Sequence, residues 1–499
     1  MDKQSAKGTT ITIEEKTGDN QDECSITIHQ ESNSNTHEIS ENEIQWLNSL
    51  EKSGGYPAKG STQKPKIQMV PEILRGIESN ISCYEPLVVA IGPFHHGKPK
   101  LQPMEKYKEK LAFQFADQES KYVGVSSRLL TNSVTKDELY IRVKNIVPNV
   151  RDCYAEDLIK DYNDEEFAQM MFVDGCFILQ YILRGFVPGN IKQLHMKITD
   201  IALIRRDLFL LENQLPFEVL QVLMTYKFNK DEGMKMINQF ISSSHVSPPQ
   251  EHGFIRSIKD FFGGNPFSPE TTNGKGHDHE RPSHLLELLR THLIDPKAFL
   301  GGGRYLRGEC CSYRSAMELR RAGIHFARGK GRPLSDIKFK SFDCTALLTL
   351  PFITIDDSTK SELLNLAAYE ACPDTPDDFS VTSYLCFMDS LIDHPEDVKE
   401  LRSKGILLNF LRTDQEVTNL FKEMAKDLVP NPRAFVDVKY KIEIQCSSKG
   451  KAWIAEWKNT HFITPWTFFT FIVAILIIGL QVTDTVLSGI QTYYAVHET

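Results

Sequence analysis

The chain has no C-x-x-C pair, no apolar stretch behind its N-terminus and no excess of basic residues, and each absence closes off a class of function. Its ten cysteines, at 24, 83, 153, 176, 310, 311, 344, 372, 386 and 446, follow neither a disulfide-framework nor a zinc-ribbon spacing, so they read as reduced thiols. The opening Met1-Asp2-Lys3-Gln4-Ser5-Ala6-Lys7 lacks the hydrophobic core of a secretory signal. The compartment therefore defaults to cytosolic, and the sequon Asn80-Ile81-Ser82 is expected to stay unused. Net charge is −9, and residues 1–60 alone hold 5 Lys against 11 acids, so no nucleic-acid partner is expected. There is no G-x-S-x-G elbow, no G-x-G-x-x-G loop and no kinase motif set.

What is present begins with an anchor. Trp466 to Val482 lies in a stretch without Asp, Glu, Lys or Arg between Lys458 and Asp484, and roughly 20 residues at ~1.5 Å each cross the ~30 Å hydrocarbon layer. Three of the four tryptophans, Trp453, Trp457 and Trp466, gather on its N-terminal side. Residues 433–458 carry six basic residues against three acids, and no Lys or Arg follows, so the positive-inside rule leaves the N-terminal body cytoplasmic. Tyr493 and Tyr494 suit the opposite aromatic belt, with Asp484 expected at or beyond the interface.

Residues 1–64 read as a disordered acidic tail with one short helix near 40–52, started by the capping-box pattern Ser40-Glu41-Asn42-Glu43. Residues 65–460 read as one helical domain with a Pro/Gly/Ser/His-rich loop insertion at about 244–282. Helical periodicity covers Gln102–Phe115, Glu156–Leu183, Ile191–Tyr226, Ser283–Phe299, Ser312–Ala322, Ser361–Cys372, Val381–His394 and Val398–Leu420, with a polar helix over Arg433–Trp457. A corner is expected at Glu212-Asn213-Gln214-Leu215, ahead of Pro216. Short alternating runs at Ile324–Ala327, Ile337–Lys340 and Leu347–Leu350 predict a small β-meander, and Gly405–Leu408 a further strand. A transmembrane helix over 461–486 and a tail over 487–499 complete the chain. The fold class is α+β: a predominantly α-helical body, the small β-meander and one C-terminal transmembrane helix.

The catalytic patterns fail on inspection. His279-Glu280-Arg281-Pro282-Ser283-His284 has one residue too many for H-E-x-x-H, and its proline forbids one continuous helix face. Gly303 to Gly308 has phosphate-loop spacing, but Glu309 stands where the lysine must be. His277-Asp278-His279-Glu280 reads as solvated loop, and His95-His96 sits in the tight Gly92–Gly97 turn. Asp174, Asp207 and Glu212 lie in apolar surroundings that would suit an acid pair for general acid/base work, but buried carboxylates need cations, and structural salt bridges with Arg205 or Arg206 are the expected role. Residues 301–340 hold ten basic residues against three acids, read as a solvated face with an anionic leaflet as the rival reading.

Val70-Pro71, Tyr84-Glu85-Pro86, Ile91-Gly92-Pro93-Phe94-His95-His96-Gly97-Lys98, Met104-Glu105-Lys106-Tyr107-Lys108, Asp207 to Pro216, Ser315-Ala316-Met317-Glu318-Leu319, Ser383-Tyr384, Met388-Asp389 and Pro465-Trp466 occur in that order. This series resembles the plant "domain of unknown function 247" family over about residues 65–490. The resemblance implies plant origin, a C-terminal membrane anchor and no catalytic residues to carry over. Members in grasses are linked to self-incompatibility, so it also implies a recognition or signalling role.

The expectation is a non-enzymatic, single-pass membrane protein whose partners are the lipid bilayer and a protein the sequence does not identify, with no cofactor, metal or catalytic residue. The opposing reading is an enzyme with an unrecognised site built from Tyr84, Glu85, His95, His96, Glu212 and Asn213. A third is a surface recognition module of opposite topology.

Overall fold

The computed structural model describes residues 45–46, 67–117, 134–186, 196–228, 231–245, 281–294, 314–329, 334–342, 345–373, 375, 378–447 and 465–497. The chain divides into two units, Met1–Thr62 and Gln63–Thr499. Of the first, only Gln45 and Trp46 are described, both helical, inside the helix expected near 40–52.

The second unit begins with the short helices α1 (Glu72–Arg75) and α2 (Ile81–Tyr84), followed by α3 (Gln102–Ala116) and α4 (Lys136–Arg151). Leu139, Val143, Val147 and Val150 line the buried side of α4, and Thr135 caps its N-terminus by accepting from the Glu138 N–H at 3.2 Å. The sequence reading passes over α4, because Pro148 interrupts a pattern that tertiary packing nonetheless completes. The run over 156–183 divides into α5 (Glu156–Ile159) and α6 (Asp164–Phe186), and that over 191–226 into α7 (Ile198–Asp207) and α8 (Phe217–Lys227). A further helix, α9 (Glu232–His245), precedes the insertion and also goes unread.

Helix α6 is the axis of this half, with α3, α4, α8 and α9 packed on it. It is apolar and long enough to cross a membrane, yet 78 % of its most apolar stretch is buried, as befits a core helix. Residues 246–280, nearly the whole insertion, lie outside the described residues, as do His277, Asp278, His279 and Glu280.

The other half contains α10 (Leu285–Leu293), α11 (Ala316–Arg321), β1 (Ile324–Arg328), β2 (Lys338–Ser341), β3 (Ala346–Leu350), β4 (Ile353–Ile355), α12 (Thr359–Glu370), α13 (Ser380–Leu391), α14 (Pro395–Ser403), β5 (Leu407–Asn409), α15 (Asp414–Ala425) and α16 (Val436–Ser447). His284, the second histidine of the failed zinc pattern, caps α10 through its Nδ1, 3.2 Å from the Glu287 nitrogen. The three expected strands form, but not as a meander. Their order is β1-β3-β2, with β1 parallel and β2 antiparallel to β3. Alternation gives a strand its faces, and β3 buries Ala346, Leu348 and Leu350, but it does not name the neighbour. The fourth expected strand appears as β5, paired in parallel with β4 through a crossover of three helices.

Helices α12, α13 and α15 pack together, and one apolar cluster runs from Ile67 to Ile442. The expected helix over 433–457 is described as α16, packed on β2; residues 448–464 lie outside the description. The described cysteines, 83, 153, 176, 372, 386 and 446, are free thiols as expected. Asn80 is fully buried, donating to the Glu423 carbonyl at 3.4 Å, so the folded body shields the sequon.

The final helix, α17 (Pro465–His497), contains an apolar span, Phe469–Tyr493, none of which is buried. The span reaches beyond the expected boundary at 486 and takes in Asp484.

Candidate functional site

Residues 85–92 belong to neither helix nor sheet, yet Val89, Ala90 and Ile91 are almost completely buried. Buried backbone N–H groups need acceptors, and without a ladder the acceptors must be side chains. The Asp207 carboxylate, at the end of α7, accepts from the N–H groups of Leu87, Val88 (2.7 Å) and Val89 (3.1 Å). Asn213 Oδ1 accepts from Ile91 at 2.7 Å, while its amide donates to the Val89 and Asp207 carbonyls at 3.1 and 2.9 Å. Asp174, on α6, accepts from Gly92 at 2.8 Å and pairs with Lys108 of α3 at 2.6 Å; Lys108 also donates to the Ala90 carbonyl. The corner over 207–214 thus clasps an extended segment more than 100 residues away in the chain.

Gln214 continues the clasp, donating to the Leu208 and Leu210 carbonyls and accepting from the Leu286 N–H. Asn365 of α12 joins it by accepting from Leu211 and donating to the Cys83 carbonyl. Gly92 closes the segment at φ +68°, where a Cβ would stand 2.8 Å from the Gln214 carbonyl oxygen and 2.9 Å from the Tyr154 hydroxyl. Only glycine fits there.

The three carboxylates singled out in the sequence are each paired with a cation. Asp207 meets Arg206 at 2.9 Å, Asp174 meets Lys108, and Glu212 meets Arg75 and accepts from the Val70 N–H at 2.9 Å. Burial pushes the Asp207 carboxyl up, and the three backbone N–H bonds pull back against it. Burial pushes Lys108 down, but Asp174 and Glu105 hold it above its ordinary value.

Above the clasp, the Gly92–Gly97 turn places His95 between two carboxylates, with Nδ1 3.9 Å from Glu85 and Nε2 3.9 Å from Glu212. Both ring nitrogens lack a hydrogen-bond partner, and the residue is 2 % exposed. Burial and the Lys98 charge push the imidazole down to about 4, against the pull of Glu85, so it is neutral at pH 7 and neither contact is an ion pair there. Burial works to raise Glu85, but its hydrogen bond to Lys98, at 2.8 Å, and the neighbouring positive charges hold it below the usual carboxylate range. Arg75 bridges the two carboxylates. The Tyr84 hydroxyl is buried without a partner, and burial pushes its pKa up.

Of the residues nominated for an enzyme, the fold therefore brings Glu85, His95 and Glu212 together, sets Tyr84 beside Glu85 in the chain, and uses Asn213 in the clasp. His96 stands apart, exposed and edge-on to Tyr162 at 6.0 Å. A neutral imidazole between carboxylates is chemically suited to passing a proton. Here no substrate atom reaches the ring unless the cluster opens.

An open cleft of about 930 Å³ lies elsewhere, between α11, α13, α14 and α15. Glu318, Asp389, Asp393, Glu396 and Asp397 line it against Arg321 and Lys422. Asp397 is saturated by the N–H groups of Met317, Asp393 and His394, and Asp393 is paired with Lys422 at 2.9 Å. Burial pushes up the Asp389 carboxyl and the Cys386 thiol, the latter to about 11, which leaves the thiol protonated. The motifs Ser315–Leu319 and Met388-Asp389 lie about 70 residues apart in the sequence, which carries no sign that the fold brings them to one cleft among four helices. The clasp partners Arg75, Lys108, Tyr154 and Asn365 were likewise invisible as such, since only tertiary contact pairs them. Among the described residues no cluster of His, Cys, Asp and Glu has the geometry to hold a metal.

In the basic region, Arg314 pairs with Glu443, Arg320 with Glu400 and Lys338 with Asp336, while Arg328 lies over the Phe352 ring at 4.1 Å. Arg304, Arg307, Lys330 and Arg332 are outside the described residues.

Residues 67–480 match the family described as "Plant protein of unknown function", domain of unknown function 247. The chain is 30 % identical over 453 residues to the UPF0481 protein At3g47200 of Arabidopsis thaliana, covering 84 % of this chain and 86 % of that one. It is 22 % identical over 545 residues to the putative UPF0481 protein At3g02645 of the same plant, covering 93 % and 98 %. No solved structure matches the chain. With the family match spanning the clasp, the cleft and the first part of the apolar helix, the chain belongs to the plant domain-of-unknown-function-247 family.

Proposed function

We propose that the chain is a membrane-tethered, non-enzymatic interaction protein of the signalling or recognition kind, with its helical body on the cytoplasmic side of a single C-terminal span. The observation that carries this reading is where the reactive side chains are spent. Glu85, His95, Glu212 and Asn213 are closed into a cluster that holds residues 85–92 in place, and no residue of the described apolar span is buried. An open surface is the acidic cleft, where Asp397 and Asp393 are taken up by backbone N–H groups and by Lys422, and the carboxylates of Asp389 and Glu396 suit a Lys- or Arg-bearing segment of a protein partner. Six basic residues over 433–458, and none beyond, support the cytoplasmic placement of the body.

Tagged full chain captured from its native membrane, analysed by mass spectrometry, is expected to carry a protein partner in stoichiometric amount. Glu396→Lys is expected to release it and Glu85→Gln to leave it bound. Turnover of a small molecule by the purified chain, abolished by His95→Ala in a folded variant, would overturn the reading in favour of an enzyme.

A further inference from the structure

Within α17 the acid, both glutamines and the one serine fall on one line with Ala474, while Gly479, Gly489 and the threonines at 483, 485 and 492 lie off it. Ala474, Gln481, Asp484, Ser488 and Gln491, with Ile477 at the remaining position, are spaced three and four apart in alternation, which is the seam of a heptad. Ile475, Leu476, Ile478, Leu480, Val486 and Leu487 occupy other faces and suit lipid. The threonines off the seam are satisfied within the helix: Thr483, Thr485 and Thr492 donate to the Leu480, Gln481 and Ser488 carbonyls, each at 2.7 Å. Gln481, Asp484, Ser488 and Gln491 are exposed, with no side-chain hydrogen bond or ion pair among the described residues.

Their depth makes this costly. Trp466 and Tyr493 are separated by about 40 Å of helix at ~1.5 Å per residue, the thickness of a bilayer with its headgroup regions. With residues 466 and 493 at the two interfaces, Asp484 is roughly 8 Å inside the ~30 Å hydrocarbon layer. An acid at that depth faces a protein partner or a water-filled cavity rather than lipid. A second copy of this helix brings another carboxylate and no cation, since no Lys or Arg follows Lys458.

We propose that the Ala474–Gln491 seam docks against a transmembrane helix of a different membrane protein, one that carries a Lys or Arg level with Asp484. The small residues Ala474 and Ser488 let the two backbones approach, Gln481 and Gln491 add hydrogen bonds between helices, and the charge pair fixes register. This inference rests on the reading of α17 as the membrane anchor.

The test uses full-length chain in phosphatidylcholine vesicles with a synthetic Leu/Ala transmembrane peptide bearing one Lys at the matching depth, and energy transfer as the readout. The Lys peptide is expected to associate at least about tenfold more tightly than its Leu counterpart. Asp484→Asn, which inserts more readily than the wild type, is expected to remove that preference, Ser488→Leu to weaken association, and Leu487→Ala to leave it unchanged. Carbonate extraction of the same vesicles keeps the two readings distinct. A chain that washes off overturns the anchor and this inference with it, whereas a retained chain that binds Lys and Leu peptides equally overturns the inference alone. Energy transfer between two full chains that Asp484→Asn abolishes would assign the seam to a second copy and also overturn it.

Discussion

Replacing Asn213 by Ala tests whether the clasp is a folding device. The substitution removes one acceptor and two donors at a site 1 % exposed, leaving the Ile91 N–H and the Val89 and Asp207 carbonyls without those bonds. An orphaned buried donor costs about 1–3 kcal/mol, and carbonyls tolerate under-satisfaction better, so the loss amounts to about 2–4 kcal/mol. Asn213→Asp keeps the acceptor but loses both donors and buries a second anion next to Asp207, so it is expected to cost no less. Denaturant unfolding of the full chain in detergent, followed by far-UV circular dichroism, reads this as a lower midpoint at unchanged slope. The exposed Gln415→Ala serves as control and is expected within about 0.5 kcal/mol of wild type. A folded Asn213→Ala chain as stable as that control would show that the network does not hold residues 85–92, and would return Asn213 to the list of functional candidates.

His95 is neutral in the fold down to about pH 4 but binds a proton near 6.5 when unfolded, so the unfolded chain takes up more protons between those values. Stability is full above about pH 6.5 and is lost as pH falls toward 4, by up to about 3 kcal/mol for this one group; His95→Gln is expected to flatten that part of the pH profile, and an unchanged slope refutes the assignment. Gly92→Ala is expected to cost at least about 3 kcal/mol because strain at positive φ is joined by two backbone and hydroxyl clashes, whereas Gly97→Ala, at φ +78° with open space around it, is expected to cost about 1 kcal/mol; equal effects in urea unfolding would refute the close approach. A chain ending at Asn459 is expected to fractionate as soluble protein at physiological salt while the full chain resists carbonate; retention of the short chain until salt is raised would give the basic 301–340 region an electrostatic attachment of its own.

What the sequence discloses here is local. The apolar run at the C-terminus and the corner before Pro216 depend on residues a few positions apart, and each appears where the pattern places it. The pairing of Asp174 with Lys108 and of Glu212 with Arg75 spans 66 and 137 residues, and a one-dimensional pattern carries no trace of it. Arg206 was legible as a partner because it adjoins Asp207. The same division explains the sheet: alternation revealed β1, β2 and β3, while the parallel pairing of β1 with β3 depends on packing around α11.

The motifs by which the chain resembles its family acquire a physical meaning from this division. Two of them, Ile91 to His95 and Asp207 to Gln214, are two sides of one buried contact. A segment that crosses the core without a sheet must have its N–H groups met by side chains of fixed length and charge, so Asp at 207 and Asn at 213 are required by hydrogen-bond geometry alone. Lys108 is required in turn, because Asp174 left without it would be an unpaired charge at 1 % exposure, a loss of about 3–5 kcal/mol. A chain sharing these motifs therefore shares the means of folding this body. Chemistry or partner choice must be sought where the fold leaves groups unspent, in the cleft carboxylates Asp389 and Glu396 and in the seam around Asp484.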